Sequence, residues 1–501
     1  MSNVKAAAAP QQGRTVAIIT MFFIFAMISF VTNMAAPFGN IWGFRYEWAG
    51  MAGNLMNFTA YLFMGIPAGN MLIKYGYKKT ALIALAVGAI GLSIQLLSGY
   101  VGGEVIVYGG SANPTYLNLF IYLLGALVCG FCVCMLNTVV NPMLNLLGGG
   151  GNKGNQLVQA GGSLNSLSGT LTPMFVGMLV GTLSADTKIS VVAPLVITGI
   201  VIFVCAFIII SFIKIEEPQK NLNKQTFEHS PFSFRHCTLG IIAIFFYVGI
   251  EIGIPGEMNA WISRFSFVGA AAVAGSLAAL YWLFMLFGRL LSTSISGKVS
   301  TRIQLISVSS VALILILLAI LIPETVGFEV PKMVYDPVEK TEEMLTEIGI
   351  PTTAVDEFIK NPNAENLNQW SDLIKKEYDL SATQIVEQVT TTPNVPLSAI
   401  FLILCGLCTS VMWGGIFNLA TEGLGKYTAK ASGLFMTMVV GGGIMPFIQD
   451  WIGRSSGYQN SYWLVFAMVA YIFFYAVVGC KNVNTDIPVN EIDENQVIDA
   501  G

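Results

Sequence analysis

The sequence predicts an all-α membrane protein: twelve transmembrane helices set as two six-helix bundles. Three observations carry this. First, of 501 residues 54% are hydrophobic and only 11% charged, against roughly 25% charged in a soluble domain. Second, apolar runs of the roughly 20 residues needed to cross a hydrocarbon core about 30 Å thick recur along the whole chain. Third, the stretch from Asn137 to Gly181 has a counterpart from Asn418 to Gly453. Both read polar helix end, Gly/Lys loop, small-residue helix, then Pro173 or Pro446 with a glycine soon after. A duplicated bundle with its working cavity between the copies is the simplest source of that recurrence.

Taken in order, the spans fall near 15–36, 50–73, 80–100, 116–142, 156–183 and 189–213, which make an N-terminal bundle over 1–213. The first run is long enough to span rather than to be a cleaved signal, so it is expected to stay as an anchor. A polar linker follows over 214–235 (KIEEPQKNLNKQTFEHSPFSFR). The second bundle, 236–480, holds spans near 236–258, 268–290, 303–323, 396–420, 432–453 and 459–480, and 481–501 is a tail. Its one long interruption, 324–395, carries fourteen acids and five lysines with helix-like pieces. We expect a small folded external subdomain there, tolerated at a loop.

Basic residues in short connections set orientation. With the N-terminus inside, inner segments hold sixteen Lys and Arg, Arg289 and Arg302 among them, and short outer loops hold four. Both termini are therefore expected in the cytoplasm, in a bacterial inner membrane. No basic stripe suits nucleic acid. The Gly run 148–151 lacks the G-K-[ST] of a phosphate loop and reads as a helix connection. Cys129/Cys132 and Cys405/Cys408 have C-x-x-C spacing but no nearby His, Asp or Glu, so they read as soft packing residues. His229 and His236 read as surface residues beside the linker. No Ser/His/Asp set, metal-ligand spacing or cofactor fingerprint is present, so the chain is expected to be no enzyme and to need no cofactor.

Polar groups stranded at membrane depth are the candidate site, because each needs a partner or a wet cavity. Asn33 lies four residues before Pro37, whose ring frees a backbone carbonyl and permits a kink. Asn54, Asn57 and Tyr61 fall at i, i+3 and i+7 on one helix face, and Asn137 and Asn141 at i, i+4 on another. Asn165 lies in a run of Gly and Ser. Amides donate and accept, as a hydroxyl-rich ligand requires, although interhelical hydrogen bonds would account for any single one. Glu251 stands deep in the seventh span with Tyr247 one turn earlier. A carboxylate there must be protonated, hydrogen-bonded to Tyr or Asn, or bound to a ligand or ion. Glu257 and Asn259, nearer the outer end, read as wet, and Glu422 as part of a gate or cap. Trp413 offers a face on which a sugar ring could stack.

Several blocks resemble the fucose–galactose–glucose:proton symporter branch of the major facilitator superfamily. They are YLFMGIPAGNMLIKYGYKK, NTVVNP, SLNSLSG, FFYVGIEIGI, IFNLATEGLGKYTAKASGLF and VVGGGIMP, covering most of 15–480 outside the insertion. The resemblance implies monosaccharide import by alternating access, with sugar held between the halves and proton movement coupled to it. It also implies that Asn165 matches a sugar-binding asparagine. Two positions depart from the fucose permease pattern: Asn33 stands for its Asp and Asn137 for its Glu, amides that cannot titrate. Glu251, in Y-V-G-x-E, is then the candidate coupling group, with proton or sodium as the ion. The expected partner is a small sugar (hexose, deoxyhexose or amino sugar) for a monomer in the lipid bilayer. A carrier of another polar solute (nucleoside, sialic acid), a sugar uniporter and a membrane sugar sensor are the alternatives.

Overall fold

In this computed structural model the described residues are 11–46, 49, 52–109, 114–149, 151–180, 193–212, 228–262, 264–265, 267, 270–378 and 380–489. Within them the side chains of 11–13, 31–41, 43–44, 54, 169–180 and 271–272 lie outside the description, as does most of the 214–235 linker.

The first half, before residue 213, contains α1 (Gln11–Arg45), α2 (Ala52–Leu97), α3 (Leu117–Leu147), α4 (Gly151–Val180) and α5 (Ala193–Phe212). Two of the predicted spans lie in α2, which is two helices joined at Gly76. Gly76 has φ 79°, a left-handed conformation that glycine adopts without Cβ strain. A short hairpin, β1 (Ile106–Tyr108) against β2 (Thr115–Tyr116), precedes α3. Gly149 at φ 82° turns the chain between α3 and α4, so the glycine run is a helix connection.

The second half opens with α6 (Arg235–Ile262), α7 (Ala270–Ile295) and α8 (Thr301–Leu321). After the insertion come α13 (Ser398–Thr421), α14 (Thr428–Met438), α15 (Gly441–Ser456) and α16 (Tyr458–Phe474). The eleventh predicted span is thus broken at Val439–Val440, and the twelfth ends in a π turn over Tyr475–Gly479. Arg302 donates to two carbonyls of that end, Ala476 O (3.0 Å) and Val477 O (2.5 Å), so this arginine anchors α16 to α8. Nine of the helical stretches among the described residues are long and apolar enough to cross a bilayer, the α2 run being long enough for two crossings. The helices α1 and α4 complete the twelve.

Exposure separates lipid-facing from buried helices. Along α5 the side chains of Ile197, Val201, Val204, Ile208 and Ile209 are all exposed, as a surface against acyl chains requires. By contrast α13 is buried nearly all round, wedged among α6, α7 and α8. Buried Cys129 and Cys132 fill the space beside Gly91 and Gly88 of α2, and all eight cysteines are free thiols.

Residues 324–395 fold around a core of their own. Strand β3 (Gly327–Glu329) pairs antiparallel with β4 (Asn394–Pro396) and closes the base, with Phe328 opposite Val395. Between them α9 (Pro337–Glu347), α10 (Thr352–Lys360), α11 (Ser371–Tyr378) and α12 (Ala382–Thr390) surround Leu345, Phe358, Leu367, Ile374 and Ile385. Local sequence starts these short helices: Asp336 caps α9 just before Pro337, and Ser381 with Gln384 makes a capping box on α12. Near the end of α11 the Tyr378 hydroxyl donates to Met344 O and to Glu347 Oε2, both at 3.3 Å. Burial and that neighbouring carboxylate push its pKa up to about 12.

Candidate functional site

The polar residues at membrane depth gather where the two halves meet. Tyr61 on α2 accepts a hydrogen bond from Asn137 Nδ2 on α3 at 2.9 Å. One turn along α3, Asn141 donates back to Asn137 O (2.9 Å) and accepts from the indole Nε1 of Trp413 at 3.0 Å. Trp413 is on α13, so this bond joins first half to second. Its ring lies 5.9 Å from that of Tyr247 on α6, and one turn beyond Tyr247 is Glu251. The Glu251 carboxylate accepts from Arg289 Nη2 of α7 at 3.2 Å. Arg289 Nη1 then crosses back to the first half, donating to Gly162 O (2.9 Å) and Ser166 Oγ (2.6 Å) on α4.

This pair keeps some contact with solvent space: the Arg289 and Glu251 side chains are 11% and 16% exposed. Asn137 and Trp413 are likewise half-buried among fully buried neighbours, and Asn165 is half-buried in a partly buried stretch. A matched ion pair removes the cost of one uncompensated charge at this depth. It leaves oxygens of Glu251 and Asn137 as acceptors and the Trp413 face as a flat apolar surface, a combination suited to a polyhydroxylated ring.

Two predicted residues face neighbouring helices of the first half, and one of them makes a hydrogen bond there. Asn165 Nδ2 donates to Phe25 O of α1 at 3.3 Å. Asn57 is buried and its Oδ1 abuts α3 at Gly130, where an added Cβ would sit 2.8 Å away, so it faces α3 rather than the seam. Asn33 and Asn54 lie on described helix backbone, with side chains outside the described residues.

Three expectations need correction. His236 is not a surface residue: it is fully buried and its Nε2 lies 2.9 Å from Glu422 O, tying α6 to the end of α13. Glu257 is not wet: it is 4% exposed, its carboxylate pressed against Gly453. Arg289 is not a loop charge, because α7 runs on to Ile295 and places it inside the seam.

A second feature was missed altogether. Asn152, Asn155, Gln156 and Gln159 fall at i, i+3, i+4 and i+7, one face of α4. That face bonds to the second half: Asn152 Oδ1 accepts from Thr301 N (3.1 Å), and Asn155 donates to Ser296 Oγ (3.1 Å). Gln156 donates to Thr293 O (3.0 Å) and Gln159 to Val411 O (3.0 Å). Arg289 is the last rung of the same stripe. At this end a recess of about 440 Å³ lies between Asn152, Arg302, Asn418, Glu422 and Lys481, and none of the predicted site residues lines it.

A helical membrane protein whose halves meet along a polar, partly wet seam has the architecture of a membrane carrier. The chain belongs to the Major Facilitator Superfamily, whose family model matches residues 16–330. It is similar to a glucose/galactose transporter of Brucella abortus, 22% identical over 471 residues, 92% of this chain and 93% of that one. A putative glucose/galactose transporter of Helicobacter pylori is 25% identical over 481 residues, 92% and 95% of the two chains. Among solved structures, the fucose:proton symporter of E. coli superposes with TM-score 0.66 at 16% identity, covering 92% of this chain and 97% of its own. A proton:xylose symporter superposes at 0.57 with 10% identity, covering 94% and 97%. At such identities the superpositions show a shared fold and nothing more.

Proposed function

We propose that this protein imports a neutral monosaccharide by alternating access, coupled to proton entry, with Glu251 as the coupling group. The observation that carries the reading is the largely buried Glu251–Arg289 pair in the seam between the halves, reached through Tyr247 from Trp413 and its bonded Asn141–Asn137 pair. The names of the full-length relatives and of the structural neighbours point to the same substrate class. Hydroxyls of a sugar would exchange hydrogen bonds with Asn137, Asn165 and Glu251, and its apolar face would stack on Trp413. Because Arg289 is matched by Glu251, the seam favours a neutral solute over an anionic one such as sialic acid.

Positive-inside counting supports cytoplasmic termini in a bacterial inner membrane. On that orientation the amide stripe of α4 faces the cytoplasm, and its bonds to α7, α8 and α13 hold the inner end shut. The conformer is then one that receives substrate from outside.

Uptake of labelled hexoses, deoxyhexoses and amino sugars into vesicles carrying the protein tests the reading. Saturable uptake of at least one is expected, and absence of both uptake and exchange for all of them would overturn it.

A further inference from the structure

Arg289 holds two partners that separate when the carrier moves. Its Nη2 bond to Glu251 lies within the second half, since α6 and α7 travel together. Its Nη1 bonds to Gly162 O and Ser166 Oγ cross to the first half. Parting α4 from α7 breaks the second set and spares the first. A largely buried guanidinium stripped of acceptors is strongly disfavoured, so the state of Glu251 decides whether that parting is allowed.

We propose that Arg289 is an interlock: the inner end opens only when the guanidinium has an acceptor inside the seam other than α4. Ionised Glu251 is one such acceptor and sugar hydroxyl oxygens are another. This rests on the proton-coupled reading above and deepens it by naming the residue that prevents slippage. When Glu251 is protonated and the seam is empty, its neutral carbonyl oxygen cannot replace the two α4 acceptors for a charged guanidinium, so the inner end stays shut and no proton leaks through. Sugar binding supplies oxygens, Arg289 releases α4, and sugar leaves to the cytoplasm followed by the proton from the Glu251 carboxyl. The carboxylate left behind then holds Arg289 while the empty carrier returns. The only bond made and broken is the carboxyl O–H of Glu251: one proton binds and leaves the same oxygen pair.

The groups that face Glu251 make it the switch. Tyr247 comes from its own helix, Arg289 and Tyr281 from α7, and Tyr61 from α2; from α13 comes Trp413, which is neutral. Tyrosine hydroxyls and guanidinium groups ordinarily titrate far above neutrality, whereas a carboxyl can change charge below it.

Spin labels placed at Lys153 and Lys298, flanking the inner ends of α4 and α7, read the opening without any sugar. Labelling the full chain in a Cys205→Ser background removes the exposed native thiol. In the native chain the long-distance population should rise from pH 5 to pH 8. Glu251→Gln should hold it at least about tenfold lower at pH 8, and adding Arg289→Gln should restore it at both pH values. A Glu251→Gln chain that opens as readily as the native one, or a double variant as shut as the single, overturns the interlock. If the double variant does not fold, Ser166→Ala in the Glu251→Gln background replaces it, since it removes one α4 acceptor. A severalfold rise in the open population is expected there, and no rise overturns the proposal. These distances do not depend on substrate, so a chain that opens as described yet moves no sugar would sink the sugar reading alone.

Discussion

Along α2 and α14 the two halves meet through glycine, and along α4 and α7 they meet through side-chain amides. In the first seam Gly65 and Gly69 lie against Gly433, where an added Cβ on Gly433 would stand 2.7 Å from Gly65 O and 3.0 Å from the Gly69 Cα. Backbone meets backbone there, with Thr437 against Gly65 as a side-chain contact and little to break when the surfaces part. In the second seam Asn155, Gln156 and Gln159 each make a bond across the join, and Arg289 ends the row. The glycine seam permits close approach; the amide seam gives closure an energy that ligand and proton can work against.

The charged rung should show the largest effect. Glu251→Gln is expected to abolish accumulation of sugar against a gradient while leaving part of the exchange activity, measured as uptake against counterflow in proteoliposomes. Retention of full pH-dependent accumulation would remove Glu251 from the coupling role. Next comes the glycine seam: Gly433→Val forces backbone apart at a cost of about 1–3 kcal/mol. The closed inner end should lose population by about tenfold, since 1.4 kcal/mol is one decade, which the Lys153–Lys298 distance reads directly. A smaller loss should follow Gln159→Leu, which gives up one buried bond to Val411 O worth about 0.5–1.5 kcal/mol. Closure weakened only a few-fold there would separate the two seams; an effect equal to that of Gly433→Val would blur them. The least change should come from the insertion. Its own core and its β3–β4 base allow residues 331–392 to be replaced by a short Gly/Ser linker, with uptake within about twofold of the full chain.

Hydropathy and the Gly/Pro repeat made the twelve spans legible, because a bilayer imposes one length on every crossing helix. The span at 268–290 already took in Arg289, but Arg289 was counted with the inner-segment charges and the helix's continuation to Ile295 was missed. A positive charge near a span end obeys the same counting rule whether it lies in a loop or turns inward, so only a partner on another helix tells the two apart. Glu251 was visible as a lone acid among apolar residues, while its partner lay 38 residues away on the next helix. The stripe at 152, 155, 156 and 159 did carry a readable signal, its i, i+3, i+4, i+7 spacing, but it lay across a loop boundary placed too late in the chain. His236 was misread for a related reason: a polar residue beside a linker becomes buried once the end of α13 covers it.

The most direct test of the account is proton flux on sugar addition. Proteoliposomes loaded with a pH-sensitive dye, free of sodium, receive glucose, galactose or fucose outside. The account predicts that at least one of these sugars acidifies the interior in the native chain and that none does so in Glu251→Gln. Sugar entry in the native chain with no accompanying proton would contradict it.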